Sequence, residues 1–211
     1  INFGNDFVVL ECGSLENSPD LLNPILMVLT YQISKEIYLE EKNKSNHNRK
    51  NIVIMDEAHK FLGKSAHVEI FVEQAYRRFR KHGASMLLGT QGFEDLYGGD
   101  SVSKVGRVII ENSFWNFFLM QRSTSREKIK KSGFFNLSPY AYALMDNTAP
   151  ADGEYGEIFI MTDKVQTKGR VVLDKFLQTL LFTDADLRSK MNRLVSQGMS
   201  HLDAVKHILE D

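Results

Sequence analysis

The chain has 211 residues, 43% of them apolar and 25% charged, with a net charge of −1. That length suits one α/β domain with a small appendage, and 14 Phe with 7 Tyr supply ample core material. The charge balance argues against a generally basic nucleic-acid binder and leaves only a local basic groove open; the single Cys12 excludes an intramolecular disulfide and fits a reducing compartment; no apolar run approaches the about 20 residues of a membrane span.

Phe7 to Cys12 reads as a strand, and a Gly-Ser-Leu-Glu-Asn-Ser-Pro loop leads from it into a helix over Leu21 to Glu41. Leu22, Ile25, Leu26, Leu29, Ile33 and Ile37 recur there at spacings of three and four and predict a broad apolar face. Lys42 to Lys50 is polar, basic and without periodicity, so it reads as a solvated loop. Ile52-Val53-Ile54-Met55 then predicts a strand buried on both faces, as in a parallel sheet, ending abruptly in Asp56 and Glu57. A helix follows over Val68 to Lys81, and Ser85 to Gln91 reads as a second buried strand. Further on, the pattern predicts a helix over Ser101 to Asn112, an aromatic strand over Phe114 to Met120, and short helices over Ser123 to Lys131 and Ser138 to Asp146. Glu157 to Thr162 and Gly169 to Leu173, β-branched with polar residues between, suggest a hairpin. The end, Asp184 to Asp211, reads as two amphipathic helices broken at Gly198. Strands alternating with helices predict an α/β domain with a mainly parallel sheet flanked by helices, a C-terminal hairpin and a helical tail.

The acid pair carries the strongest chemical signal. Ligands of open α/β sheets bind at the carboxyl ends of the strands, where Asp56 and Glu57 stand. In a nucleotide hydrolase the first acid holds Mg²⁺, usually through water, and the second polarises the attacking water. The plainer alternative is a strand that ends in solvated acids. Gln91 closes the next strand, and parallel neighbours end at the same edge, so its uncharged amide is expected near Asp56 and Glu57, able to orient water without adding negative charge. Between them lies Tyr76-Arg77-Arg78-Phe79-Arg80-Lys81-His82-Gly83. Cations at a helix C-terminus are ordinary solvation favoured by the helix dipole. The sharper alternative makes Arg78 or Arg80 an arginine finger acting across a subunit boundary.

Several other signals point away from chemistry. Gly63-Lys64-Ser65 imitates the end of a phosphate-binding loop, but the required first glycine is Ala58 and no strand precedes it. It reads as a surface turn. No GxxxxGK[ST] occurs anywhere, so either the phosphate grip and its lysine lie upstream of Ile1, making the chain a fragment, or the function is not ATP hydrolysis. Asp56-Glu57-Ala58-His59 lacks the HExxH zinc spacing, and His59 reads as a local hydrogen-bonding residue or a nucleotide sensor. Cys12 reads as core and not as a nucleophile, and Trp115 among Phe114, Phe117 and Phe118 as core packing and not as a base-stacking platform.

Taken together, NIVIMDEAHKFL, YRRFRKHGASMLLGTQ and FWNFFLMQ resemble the C-terminal ATPase domain of TraC-type conjugation ATPases, the large motor ATPases of type IV secretion systems. FVVLECGSLENSPDLLNPILMVLTYQI resembles the family's strand and helix before the Walker B segment, and GRVVLDKFLQTLLFT its closing strand, so the resemblance runs from about Phe7 to Thr183. It implies a RecA-like domain over residues 1–182, lacking the Walker A loop, with a helical tail at 183–211. It further implies hexamer formation, hydrolysis of ATP with Mg²⁺, and a role in conjugative transfer or pilus assembly. The expected location is cytoplasmic and peripheral to the bacterial inner membrane. The implied partners are further copies of the chain, inner-membrane secretion components, and pilus or substrate proteins, with direct DNA binding left open. By position, Asp56 becomes the Walker B metal residue, Glu57 the catalytic base and Gln91 the sensor glutamine, with an arginine of the Arg77 to Arg80 cluster facing the neighbouring subunit. The Lys- and Arg-rich segment Ser123 to Gly133 receives no role. Three rivals stand beside this reading. A DNA-pumping ATPase of the FtsK or HerA kind shares the same motifs. A DEAH-box helicase would need a Ser-Ala-Thr-like strand end and a Gln-Arg-x-Gly-Arg motif, both absent from the chain. A non-catalytic module would dock through the C-terminal helices.

Overall fold

The β-branched run before the acid pair forms a strand, β1 (Asn51–Met55). In the computed structural model, which describes residues 5–15, 18–39, 50–150, 155–181 and 184–210, β1 pairs in parallel with β2 (Ala84–Leu88). Ile52 stands opposite Ser85 and Ile54 opposite Leu87. A parallel pair needs a crossover: the crossover helix α2 (Ala66–Arg78) packs against β2, and α1 (Pro19–Leu39) packs on α2. Val68, Phe71, Val72 and Ala75 of α2 and Phe79 of the 3₁₀ turn after it are all buried, the repeat of three and four that an amphipathic helix presents to a core. Leu26, Leu29 and Ile37 of α1 are buried too, whereas Ile25 of the expected stripe faces outward. Gly83, in the left-handed region at φ 63°, ends the turn, and its carbonyl accepts the Asn51 N–H as β2 begins.

The chain divides into two compact units, Ile1–Asn116 with Gln121–Ser138, and Phe117–Met120 with Pro139–Asp211. The hairpin and the helical tail belong to one of these units. The first unit continues after β2 with a 3₁₀ turn at Phe93–Leu96 and a small antiparallel ladder, β3 (Tyr97–Gly98) with β4 (Ser101–Val102). The helix expected from Ser101 starts later for that reason, as α3 (Lys104–Asn112), where the Ser103 hydroxyl caps it by accepting the Gly106 N–H at 3.0 Å. α4 (Ser123–Ser132) completes the unit and ends at Gly133, φ 69°.

The second unit is built on the sheet order β5-β6-β7, with β5 (Asn116–Phe118), β6 (Gly156–Met161) and β7 (Gln166–Val171). β6 and β7 are antiparallel, the hairpin expected from their β-branched pattern. Phe159 is fully buried, its ring 6.2 Å from that of Phe118. Glu157 accepts from Lys168 across the hairpin at 2.9 Å and from the Ala149 N–H at 3.1 Å, which ties the hairpin to the segment after α5 (Pro139–Asp146). Then come α6 (Lys175–Leu181), α7 (Ala185–Ser196) and α8 (His201–Glu210), the last two broken at Gly198, φ 97°.

Four further expectations need correction. Phe7 to Cys12 belongs to no strand among the described residues, and Phe7 and Val9 are 80% and 69% exposed; an apolar run becomes a strand only where a neighbouring edge takes its backbone groups. β1 is not buried on both faces: Ile52, Ile54 and Leu87 share one side of the pair and are 67%, 63% and 49% exposed. Residues Leu173 onward are not a closing strand, because the Asp174 carboxylate accepts the Leu177 N–H at 2.9 Å and starts α6 instead. Trp115 is not core; it and Phe114 are both more than half exposed and touch edge to face at 5.5 Å. The expected Lys42 to Lys50 loop lies outside the described residues except for Lys50. Among the described residues β1 and β2 pair in parallel, whereas β3 with β4 and β6 with β7 pair antiparallel.

Candidate active site at the carboxyl edge of β1 and β2

Where β1 stops, the backbone turns sharply. Glu57 adopts φ 48° and ψ 41°, the one left-handed residue other than glycine among the described residues. Such a conformation persists only where neighbouring bonds over-determine it. Here the Glu57 N–H donates to Asp56 Oδ1 at 2.8 Å, and the Ala58 N–H donates to the Gly89 carbonyl at 2.9 Å. Gly89 in turn donates its N–H to the Met55 carbonyl at 2.9 Å. The ends of the two strands are thereby stitched together. The strand ends approach closely at Gly89: a Cβ there would stand 3.1 Å from Asp56 Oδ1 and press on that carboxylate.

The turn aims Glu57 at the next strand. Gln91 Nε2 donates to Glu57 Oε1 at 3.3 Å, so the glutamine and the second acid meet as their strand ends predicted. Glu57 also forms an ion pair with Lys60, three residues on in the 3₁₀ turn Ala58–Lys60. Hydrogen bonding to Lys60, with its charge and the Gln91 amide adding to it, holds the Glu57 carboxyl below the usual carboxylate range. The group is therefore ionised at neutral pH, as a proton acceptor must be. Asp56 is exposed beside it.

A single exposed carboxylate suits Mg²⁺, which keeps several waters and takes one or two carboxylates plus substrate phosphates. No group of three His, Cys, Asp or Glu able to cage a metal occurs among the described residues. The residues present thus fit a metal carried in with a phosphate ligand.

The arginines stand elsewhere. They lie at the end of α2 and in the turn before Ala84, whereas Gln91 lies past the far end of β2. Five strand residues separate the two edges by about 16 Å, so within one chain neither Arg78 nor Arg80 meets the acid pair. Arg77 is paired with Glu73 at 3.3 Å, and the Arg78 guanidinium lies 5.3 Å over the Tyr38 ring. Arg80 is exposed.

The remaining sequence signals resolve as follows. In Gly63-Lys64-Ser65 the Gly63 N–H donates to Glu69 Oε1, and the N–H groups of Lys64 and Ser65 donate to the Phe61 carbonyl, so none of the three is left to cradle a phosphate. Burial, with Glu11 nearby, raises the Cys12 thiol, which makes it a poor nucleophile. His59 Nδ1 is buried and unpartnered among the described residues, so a local hydrogen-bonding role is not seen there. Sequence reasoning missed the left-handed Glu57, Lys60, the close approach at Gly89, and Asp95, whose carboxylate grips the Gln91 loop. Lys60 was legible in hindsight, since an acid and a lysine three apart after a strand face each other in any helical turn.

Comparison with known proteins gives the family of the chain. The model of the TraG P-loop domain family matches residues 3–210. Protein TraC of Escherichia coli (strain K12) is 31% identical over 200 residues, which is 94% of this chain and 22% of TraC. The chain therefore spans less than a quarter of that relative's length. Among solved structures, VirB4 of Thermoanaerobacter pseudethanolicus superposes with a TM-score of 0.57 at 18% identity, over 82% of this chain and 43% of VirB4. That likeness establishes a shared fold, in keeping with the RecA-like α/β arrangement expected from the motifs. A match over nearly the whole chain decides the family: the chain belongs to the TraG P-loop domain family, and the resemblance to TraC-type conjugation ATPases is borne out.

Proposed function

We propose that these residues are the Walker B and sensor half of an ATP-hydrolysing site, in a motor ATPase that powers type IV secretion, conjugative transfer or pilus assembly. The observation that carries this is the hydrogen bond from Gln91 to Glu57 at 3.3 Å, across two parallel strands that end at one edge. The Asp56 carboxylate would hold the Mg²⁺ that comes with the nucleotide. Glu57, ionised and fixed by its left-handed turn, takes the proton of the attacking water. Gln91 donates to Glu57 and orients it without adding charge. Bound Mg²⁺ and ATP supply the phosphoryl group and neutralise its charge. The chain contains no phosphate-binding loop, so that half of the site comes from outside these 211 residues. The bare side of the β1–β2 pair, with Ile52, Ile54 and Leu87, supports this, since parallel sheets are ordinarily covered on both faces.

The assembled protein works as a hexamer at the cytoplasmic side of the bacterial inner membrane, beside secretion components and pilus or substrate proteins. No described helix is long and apolar enough to cross a membrane. Arg80 is the trans finger in this proposal, because Arg77 is engaged by Glu73 and Arg78 by Tyr38.

Subunit mixing tests it. In the full-length protein, Arg80→Ala and Glu57→Gln are each expected to lose at least 100-fold in turnover. Co-assembled, they restore part of the activity, because some interfaces pair an intact Glu57 with an intact Arg80. Mixed assemblies as inactive as either parent would exclude a finger at Arg80.

A further inference from the structure

The loop that carries Gln91 is held from below by one side chain. Asp95 Oδ2 accepts two consecutive backbone N–H groups, those of Gln91 and Gly92, each at 3.0 Å. A carboxylate receiving two adjacent amides fixes the direction of the peptide between them, and with it the Cα–Cβ vector of Gln91. Asp95 is itself immobilised. It sits in the 3₁₀ turn Phe93–Leu96, whose Phe93 and Leu96 are buried at 5% and 9% exposure. Phe93 packs against Phe135 at 5.6 Å and Tyr97 at 5.7 Å. Glu94, between them, accepts a hydrogen bond from Ser125 of α4, and Lys128 of the same helix lies 5.2 Å over the Tyr97 ring. The Gln91 side chain is exposed, and its one described contact is the 3.3 Å bond to Glu57. A long, exposed amide does not hold that direction by packing, so its aim depends on the backbone beneath it.

We propose that Asp95 is a positioning residue that acts through Gln91: its grip on the Gln91 and Gly92 amides keeps the Gln91 amide on Glu57. The proposal rests on the reading of Glu57 and Gln91 as hydrolytic residues. Its mark is dependence on Gln91. A carboxylate that merely caps the 3₁₀ turn would lower stability whether or not residue 91 is a glutamine. One that aims the side chain matters to turnover only while that side chain is present.

The test is a double-mutant cycle on ATP hydrolysis by the full-length protein. Asp95→Ala is expected to lower kcat about tenfold with KM for ATP within twofold of the parent. In a Gln91→Ala background the same substitution is expected to cost less than twofold. Asp95→Asn, whose amide oxygen still accepts both N–H groups, is expected to stay within about threefold of the parent. If the alanine variant melts too early to assay, Asp95→Ser, too short to reach both amides, takes its place in the cycle. An equal loss in both backgrounds, or no loss in the parent, overturns the positioning role while leaving Gln91 catalytic. No loss from Gln91→Ala alone overturns the hydrolytic reading of Gln91, and the positioning role with it.

Discussion

Glu57→Gln in the full-length protein is expected to lower turnover by about 10²–10⁴-fold while nucleotide binding stays within a few-fold of the parent. The amide keeps the size of the side chain and an oxygen that can still accept from Gln91 Nε2, but it cannot take a proton from water. Affinity is retained because Asp56, on the preceding residue, keeps its carboxylate for the metal. The pH profile adds a second readout. A carboxyl held low by Lys60 is active above its folded pKa and loses activity as pH falls through it, so the acid limb lies below the usual glutamate range. Lys60→Ala removes the largest cause of the depression, and the acid limb moves up towards the ordinary value. Turnover of the glutamine variant near the parent rate, measured by phosphate release alongside labelled-nucleotide binding, would refute the role given to Glu57.

Gly106→Ala is the second large effect, and it concerns the frame of the site. In an isolated helix that change would stabilise by about 1 kcal/mol. Inside α3 it reverses sign. A Cβ at 106 would stand 2.2 Å from the Leu96 carbonyl oxygen, a backbone atom that cannot rotate away. The Leu96 carbonyl also accepts the Ser103 N–H at 2.9 Å, so any shift breaks the start of α3 as well. The expected net loss is about 3 kcal/mol, or about 10 °C in Tm for a chain of this size. Urea or thermal unfolding of the 211-residue chain checks it, and an unchanged midpoint would mean that α3 does not pack this closely on the turn below the Gln91 loop.

The acid pair was legible because its signal is local. A run of β-branched residues ending in two carboxylates makes a strand with acids at its carboxyl end in almost any α/β context, and parallel pairing brings the next strand's end to the same edge. Gln91 followed from that topology, as the hairpin and the Gly198 break followed from local pattern. What escaped depends on partners distant in sequence. Phe7 to Cys12 has the composition of a strand, but composition does not say whether an edge lies beside it. The outward side of β1 looked like core for the same reason. The left-handed turn at Glu57 is set by Gly89, 32 residues on, and the grip of Asp95 on two backbone amides has no side-chain signature. Leu173 was read as strand because its apolar neighbours outweighed Asp174, a helix cap. The arginine cluster was found as a charge pattern, yet its place at the opposite edge of the sheet follows from the direction of α2, which returns the chain to the start of β2.

Whether this chain carries half of a nucleotide site is read from the steady-state rate of Mg²⁺-dependent ATP hydrolysis, measured side by side for the 211-residue chain and for the full-length protein. The full-length protein is expected to turn ATP over, and the 211-residue chain to show a rate no different from the buffer background. Hydrolysis by the isolated chain at the full-length rate, or none by the full-length protein assembled with Mg²⁺ and ATP, would contradict it.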